Sequence, residues 1–251
     1  MTHTHASQSL HQPHAAGTTA LIALRDLCYA YEGVTALRHI DLDICAGDSV
    51  VLMGDNGSGK STLLKALVGL IHPQRGTYQF DGAIVDERSM RDPVFSKRLH
   101  QRVGYVFQDS DAQLFCPSVE DEIAFGPRQM GLHEDEVERR VADTCALLDI
   151  AALRKRAPYN LSGGEKKRVA IACVLSMNPD VLCLDEPLAG LDAKTQRWLI
   201  SFLGQLRTTE KTLVIATHDQ SLADALADYF VYMGDFHGYE DRPHVHINQE
   251  S

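Results

Sequence analysis

The chain has 251 residues, 44% of them hydrophobic and 23% charged, so it can bury a full core as one large domain or as a domain with a smaller subdomain. Its formal charge of −10 argues against a broad nucleic-acid surface, because binding to phosphate backbones is driven by Lys and Arg. No apolar run approaches the length of a membrane span, and the polar, His-bearing N-terminus lacks the pattern of a secretory leader, so the chain is read as neither membrane-spanning nor secreted.

Residues 1–19 carry no apolar periodicity and read as a disordered, His-containing tail. Between Leu21 and Ile44, short alternating apolar runs suggest a small antiparallel sheet, followed by a strand at Ser49 to Met53. Gly54 to Ser61 then reads GDNGSGKS, the G-x-x-x-x-G-K-[ST] phosphate-loop pattern. In such a loop, glycines let the backbone N–H groups of Gly54, Asp55, Asn56, Gly57, Ser58 and Gly59 approach phosphate oxygens without obstruction from a Cβ. Lys60 supplies a compact positive charge for the β/γ-phosphates, Ser61 offers a hydroxyl to Mg²⁺, and Thr62 packs or caps nearby. The helix from Ser61 to Gly69 points its positive end at the same place.

Further on, a strand is expected at Thr77 to Phe80 and another within Arg102 to Phe107, ending at Gln108. Helical patterns at Glu120 to Ala124, His133 to Leu148 and Gly163 to Ser176 suggest a helical subdomain spanning about 109–176. Ser162 stands at the start of the third helix, where free N–H donors face outward. It is either a plain N-cap or part of a phosphate site for ATP held by another subunit.

Val181 to Leu184 forms an apolar strand ending at Asp185, whose carboxylate suits a Mg²⁺ ion, and Glu186 follows as the candidate general base. A helix from Thr195 to Leu206 and a strand from Thr212 to Ala216 lead to His218. Parallel strands deliver side chains at their carboxyl ends, which places Gln108 and His218 near one site. Tyr31 either stacks on an adenine face or packs in the core. The residues from Asp235 onward read as a second loose, His-bearing tail, with the domain proper running over 20–236. Six dispersed cysteines without a C-x-x-C pair are expected to stay reduced. The fold class is α/β, with a mainly parallel core sheet, a small antiparallel β subdomain and a helical subdomain.

GDNGSGKS, LSGGE at Leu161 to Glu165 and VLCLDE at Val181 to Glu186, in this order, resemble the ATP-binding subunits of ABC transporters, with a RecA-like P-loop NTPase core. That resemblance implies ATP and Mg²⁺ as ligands, with Mg²⁺ held by Ser61, Gln108 and Asp185. It further implies Tyr31 as the adenine-stacking aromatic, Gln108 as the lever glutamine, Asp192 in the D-loop Gly190-Leu191-Asp192, and His218 as the switch histidine at the γ-phosphate. Catalysis would rest on Glu186, His218 and Gln108. Leu161, Ser162, Gly163, Gly164 and Glu165 would address ATP across a head-to-tail dimer of this chain with itself or a close paralogue.

The stretch Phe107 to Pro127, FQDSDAQLFCPSVEDEIAFGP, is similar to the energy-coupling-factor importers and their cobalt and nickel relatives. Asp111, Gln113, Leu114 and Phe115 match the segment that lines a groove for a coupling helix of the membrane subunit, although Ser110 replaces the family's usual proline. Little sequence follows the core, whereas many relatives carry a longer C-terminal extension. By this resemblance the partners are a membrane-embedded coupling subunit and a substrate-capturing membrane subunit, with no nucleic acid, at the cytoplasmic face of the cell membrane. Seven of the twelve histidines (His3, His5, His11, His14, His237, His244 and His246) lie in the two tails, and imidazole suits Ni²⁺, Co²⁺ and Zn²⁺. Nickel or cobalt import is therefore the leading expectation, with vitamin import by the same engine and a soluble ABC ATPase without membrane partner as alternatives.

Overall fold

Strand β3 (Ser49–Met53) is buried along its whole length because it lies inside a sheet covered on both faces. The computed structural model describes residues 19–234 and the backbone of 245–248. Strands β1 (Ile22–Tyr31), β2 (Val34–Ile44), β4 (Arg75–Phe80) and β5 (Ala83–Ile84) form an antiparallel sheet in the order β2-β1-β4-β5. The larger sheet joins β3 to β6 (Val103–Val106), β7 (Val181–Asp185), β8 (Thr212–Ala216), β9 (Tyr229–Met233) and β10 (Val245–Asn248). Its order is β10-β9-β3-β8-β7-β6, parallel from β9 to β6 and antiparallel at the β10 edge.

Helix α1 (Lys60–Leu67) follows β3. The short α2 (Glu87–Met90) and α3 (Pro93–Arg102) precede β6, α3 starting at a proline behind the Asp92 cap. Helices α4 (Val119–Gln129), α5 (Glu134–Leu147) and α6 (Gly163–Leu175) lie between β6 and β7. Then α7 (Ala193–Arg207) and α8 (Gln220–Leu226) flank β8.

Period-two alternation divides the core sheet between two apolar clusters. Val50, Leu52, Val181, Cys183 and Val214 face the antiparallel sheet and α1, where they meet Leu24, Leu63, Leu64 and Tyr78. Val51, Leu182, Leu184, Leu213 and Ile215 face the other way, against Ile123, Val141, Val169, Leu199 and Leu222 from α4 to α8. Each fully buried Leu or Val contributes about 1.5–3 kcal/mol, so both faces hold the phosphate-loop strand in place.

The expected antiparallel and parallel sheets are both present, and β3 and β8 have the expected limits. Helices α2, α3 and α8 and strands β5 and β9 lay outside the expected elements. Part of the C-terminal stretch read as loose pairs with β9 instead, Val245 opposite Met233 through Asn248 opposite Phe230. The backbone hydrogen-bonding edge of β9 accounts for that pairing. The expectation of a disordered tail before residue 19, and those for the tail histidines, fall outside the described residues, save the backbone of His246. All six cysteines are free, as expected.

Candidate functional site

The carboxyl ends of β3, β7 and β8 meet around the phosphate loop. Gly54 has φ 147° and Gly59 φ 94°, which a side chain would strain. At Gly54 space is also closed, since a Cβ would stand 2.3 Å from the Met233 carbonyl oxygen. Asp55, Asn56 and Gly57 are exposed at the loop tip, whereas Ser58 is buried. Lys60 is buried and folds back over the loop, its Nζ donating to the carbonyl oxygens of Gly54 at 2.5 Å and Asp55 at 3.0 Å. Thr62 is half-buried in the first turn of α1.

Asp185 and Ser61 are joined across β8. Ser61 Oγ donates to Asp185 Oδ1 at 2.9 Å, and Tyr105 Oη donates to Asp185 Oδ2 at 2.9 Å. Burial, and then the Asp185 charge, push the Tyr105 phenol well above its ordinary range, so it remains a donor. Glu186 sits in the left-handed region at φ 40°, held there by its N–H donating to Ala216 O at 2.9 Å. Its residue is only 8% exposed. Thr217 Oγ1 donates to Glu186 Oε2 at 3.3 Å, and His218 Nδ1 lies 3.0 Å from Oε1. The structure thus brings Lys60, Ser61 and Asp185 together and couples Glu186 to His218. Such oxygen ligands, with a cation facing phosphates and a fixed carboxylate beside them, suit binding and hydrolysis of a nucleoside triphosphate.

Gln108 is exposed beyond the end of β6, and its carbonyl oxygen accepts from Lys167 Nζ at 2.8 Å. The same ammonium donates to Phe107 O at 3.1 Å. Lys167 is 2% exposed, and burial lowers it to about 8 against weaker opposing pulls from Asp109 and Asp185. Tyr31 ends β1, is 41% exposed and meets Tyr29 edge-on with ring centroids 4.9 Å apart. It is therefore available at the surface rather than sunk in the core.

At the head of α6, Ser162 and Glu165 form a reciprocal capping box. Glu165 accepts from Ser162 N at 2.7 Å and Oγ at 2.8 Å, which holds its carboxyl below the usual range. Gly163 is open, while a Cβ on Gly164 would come within 2.9 Å of Thr195 Oγ1. Two side chains of this stretch turn toward their own chain. Leu161 is 7% exposed and packs into the helical-side core, so its side chain faces inward rather than toward a second subunit. Glu165 is turned back on its own helix start by the capping box. Asp192 caps α7, accepting from Lys194 N at 2.9 Å and Thr195 N at 3.1 Å, with Thr195 the first cause of its lowered carboxyl.

A cavity of about 350 Å³ lies between α4, α6 and α3, beside the segment read as a partner groove. Gln113 and Phe115 line it, joined by Phe125, Met130, Cys173 and Met177. Leu114 packs against the core instead, and Asp111 pairs with Lys166 at 2.5 Å. The turn explains the split: the N–H groups of Gln113 and Leu114 both donate to buried Ser110, which sends adjacent side chains to opposite sides. Phe115 is 69% exposed and meets Phe125 edge-on at 5.1 Å.

Sequence reasoning missed Tyr105, Thr217, Lys167 and Phe125. Lys167 had a legible signal, because 167, 170, 171 and 174 share one helical face and the other three are buried apolar residues. Tyr105 and Thr217 carried none, since their roles arise from strands distant in the chain.

The sheet order and the loop between β3 and α1 define a P-loop NTPase of the ABC ATPase fold. The family profile described as "ABC transporter" matches residues 37–189, and the chain belongs to this family. It is an ATP-binding ATPase. Nickel import ATP-binding protein LarO of Lactiplantibacillus plantarum is 45% identical over 86% of this chain and 90% of its own length. Energy-coupling factor transporter ATP-binding protein EcfA of Methanothermobacter thermautotrophicus is 44% identical over 83% of this chain and 66% of its own. Among solved structures, CbiO1 from Clostridium perfringens, part of the ABC transporter complex cbiONQ, superposes with a TM-score of 0.76. It is 36% identical over 85% of this chain and 84% of that one.

Proposed function

We propose that this chain is the ATP-hydrolysing subunit of an energy-coupling-factor importer that drives uptake of nickel or cobalt. The observation that carries the membrane coupling is the groove with exposed Phe115 and Phe125, an apolar, aromatic surface suited to a helix of a partner. The likeness to a nickel import ATP-binding protein favours the metal substrate. Among the described residues no helix is long and apolar enough to cross a membrane, which accords with peripheral attachment to membrane-embedded coupling and substrate-capturing subunits at the cytoplasmic face.

In this reading Gly54 to Thr62 cradle the ATP phosphates, and Lys60 exchanges its two carbonyl partners for β/γ-oxygens. Tyr31, exposed at the end of β1, receives the adenine. The hard oxygens of Ser61 and Asp185, already 2.9 Å apart, fit Mg²⁺, with Gln108 as a further ligand. The ion, when bound with ATP, neutralises charge on the transferring phosphate. Glu186 polarises the attacking water while His218, on the same carboxylate, faces the γ-phosphate. Ser162, Gly163 and Gly164 at the head of α6, with Asp192 nearby in sequence order, address ATP on a second subunit in a head-to-tail dimer. ATP binding closes the dimer and moves the partner's helix in the groove, and hydrolysis resets it.

The test is to purify the complex this chain forms with membrane proteins of its host and measure ATP-dependent uptake of Ni²⁺, Co²⁺ and biotin. Metal uptake lost on Phe125→Glu together with the membrane subunits is the expected result. Biotin uptake would replace the substrate, and absence of any membrane partner would overturn the importer reading in favour of a soluble ATPase.

A further inference from the structure

On the outer face of the antiparallel sheet, remote in role from the nucleotide, three side chains of different chemistry converge. Leu27 and Ile40 are fully buried and point into the core, so their neighbours Asp26, Cys28 and His39 turn to the opposite face. Asp26 at φ 50° and His39 at φ 48° sit at irregularities in the β1–β2 register, which bring the two strands' side chains into one cluster. One donor atom from each of the three lies within 4.8 Å of the others. His39 Nδ1 bonds Asp26 Oδ1 and lies 4.0 Å from Cys28 Sγ.

The surroundings orient these donors. Arg75 Nε holds the other carboxylate oxygen, Oδ2, at 2.9 Å, leaving Oδ1 directed at the imidazole. Gly76 makes that possible, because a Cβ there would stand 2.3 Å from Asp26 O and push β4 away. The His39 N–H donates to Cys28 Sγ at 3.3 Å, the Cys28 thiol donates to Asp26 O at 3.6 Å, and Asp41 Oδ1 accepts from Asp26 N at 2.9 Å. The Asp26 carboxyl is held below its usual range, first by its hydrogen bond with His39.

We propose that Asp26, Cys28 and His39 form a binding site for one divalent transition ion of the zinc, cobalt and nickel class, independent of whatever the transporter carries. Thiolate, imidazole and carboxylate are the donor set such ions take at about 2.0–2.3 Å, with water completing four-coordination on the exposed side. On binding, the Cys28 Sγ–H proton leaves to solvent as the sulfur–metal bond forms, and the proton between His39 Nδ1 and Asp26 Oδ1 passes to solvent or to Nε2, which frees Nδ1 and Oδ1 for the ion. Arg75 and the His39 N–H remain as outer contacts, the arrangement that tunes natural metal sites.

The test is titration of Co²⁺ into the full-length protein under a non-thiol reductant, reading the thiolate-to-cobalt charge-transfer band in the near ultraviolet. Cobalt held by imidazoles alone, such as those of the tails, would not produce this band. One equivalent of sulfur-ligated cobalt, displaced by Zn²⁺, is expected in the native protein and in Cys116→Ser. The band is lost in Cys28→Ser, and affinity falls by about tenfold or more in His39→Ala. Circular dichroism of both variants, matching the native protein, assigns these losses to ligation rather than unfolding. No band in the native protein, or a band that survives Cys28→Ser, overturns the site.

Discussion

Replacing Lys167 by Met keeps the aliphatic stem but removes an ammonium whose Nζ holds the carbonyl oxygens of Phe107 and Gln108. Two terms oppose each other near neutrality. Each carbonyl left without a donor costs about 1–3 kcal/mol. The buried charge itself is penalised, since its folded value of about 8 lies below the ordinary 10.5, a gap worth about 3 kcal/mol. Below pH 8 both folded and unfolded lysines are protonated and the penalty is fully present. Between pH 8 and 10.5 the unfolded chain holds the proton that the native state has released, so native stability rises with pH. Against Lys167→Met, the native chain therefore gains about 1.4 kcal/mol between pH 7 and pH 9, and about 3 kcal/mol over the whole window. Urea unfolding of the two proteins at pH 7, 8, 9 and 10 measures this, because all other titrating groups cancel in the difference. Parallel stability curves, or a gap that closes in the opposite direction, would refute the burial of a charged Lys167 and its hold on the segment ending in Gln108.

Glu186→Gln should leave ATP binding intact, lower turnover by about 10²–10⁴ and accumulate a closed dimer with ATP, visible by size-exclusion chromatography; turnover at the native rate sinks the base assignment. Gly54→Ala meets both an unfavourable φ and the Met233 carbonyl, so ATP affinity should fall and stability drop by about 1–3 kcal/mol, read by thermal unfolding with and without ATP.

The sequence by itself determined the nucleotide chemistry and most of the scaffold. GDNGSGKS, LSGGE and VLCLDE are contiguous, and the backbone geometry each needs is written locally in glycines, a cap and an apolar strand. The strand Ser49–Met53 and the cap at Ser162 were legible for that reason. Tertiary structure alone decided which side chains meet across the sheet. The Ser61–Asp185 contact spans β8, Tyr105 reaches Asp185 from β6, and Thr217 and His218 take opposite oxygens of Glu186. It also decided that Leu161 is a core residue and Leu114 packs against the core while Phe125 faces the groove, although all three sit in or near readable motifs. Sequence spacing specifies a residue's place along an element, but which face is covered depends on partners tens of residues away. The Asp26–Cys28–His39 cluster shows the same limit, because two strand irregularities and the close passage of Gly76 assemble it from residues that no motif connects.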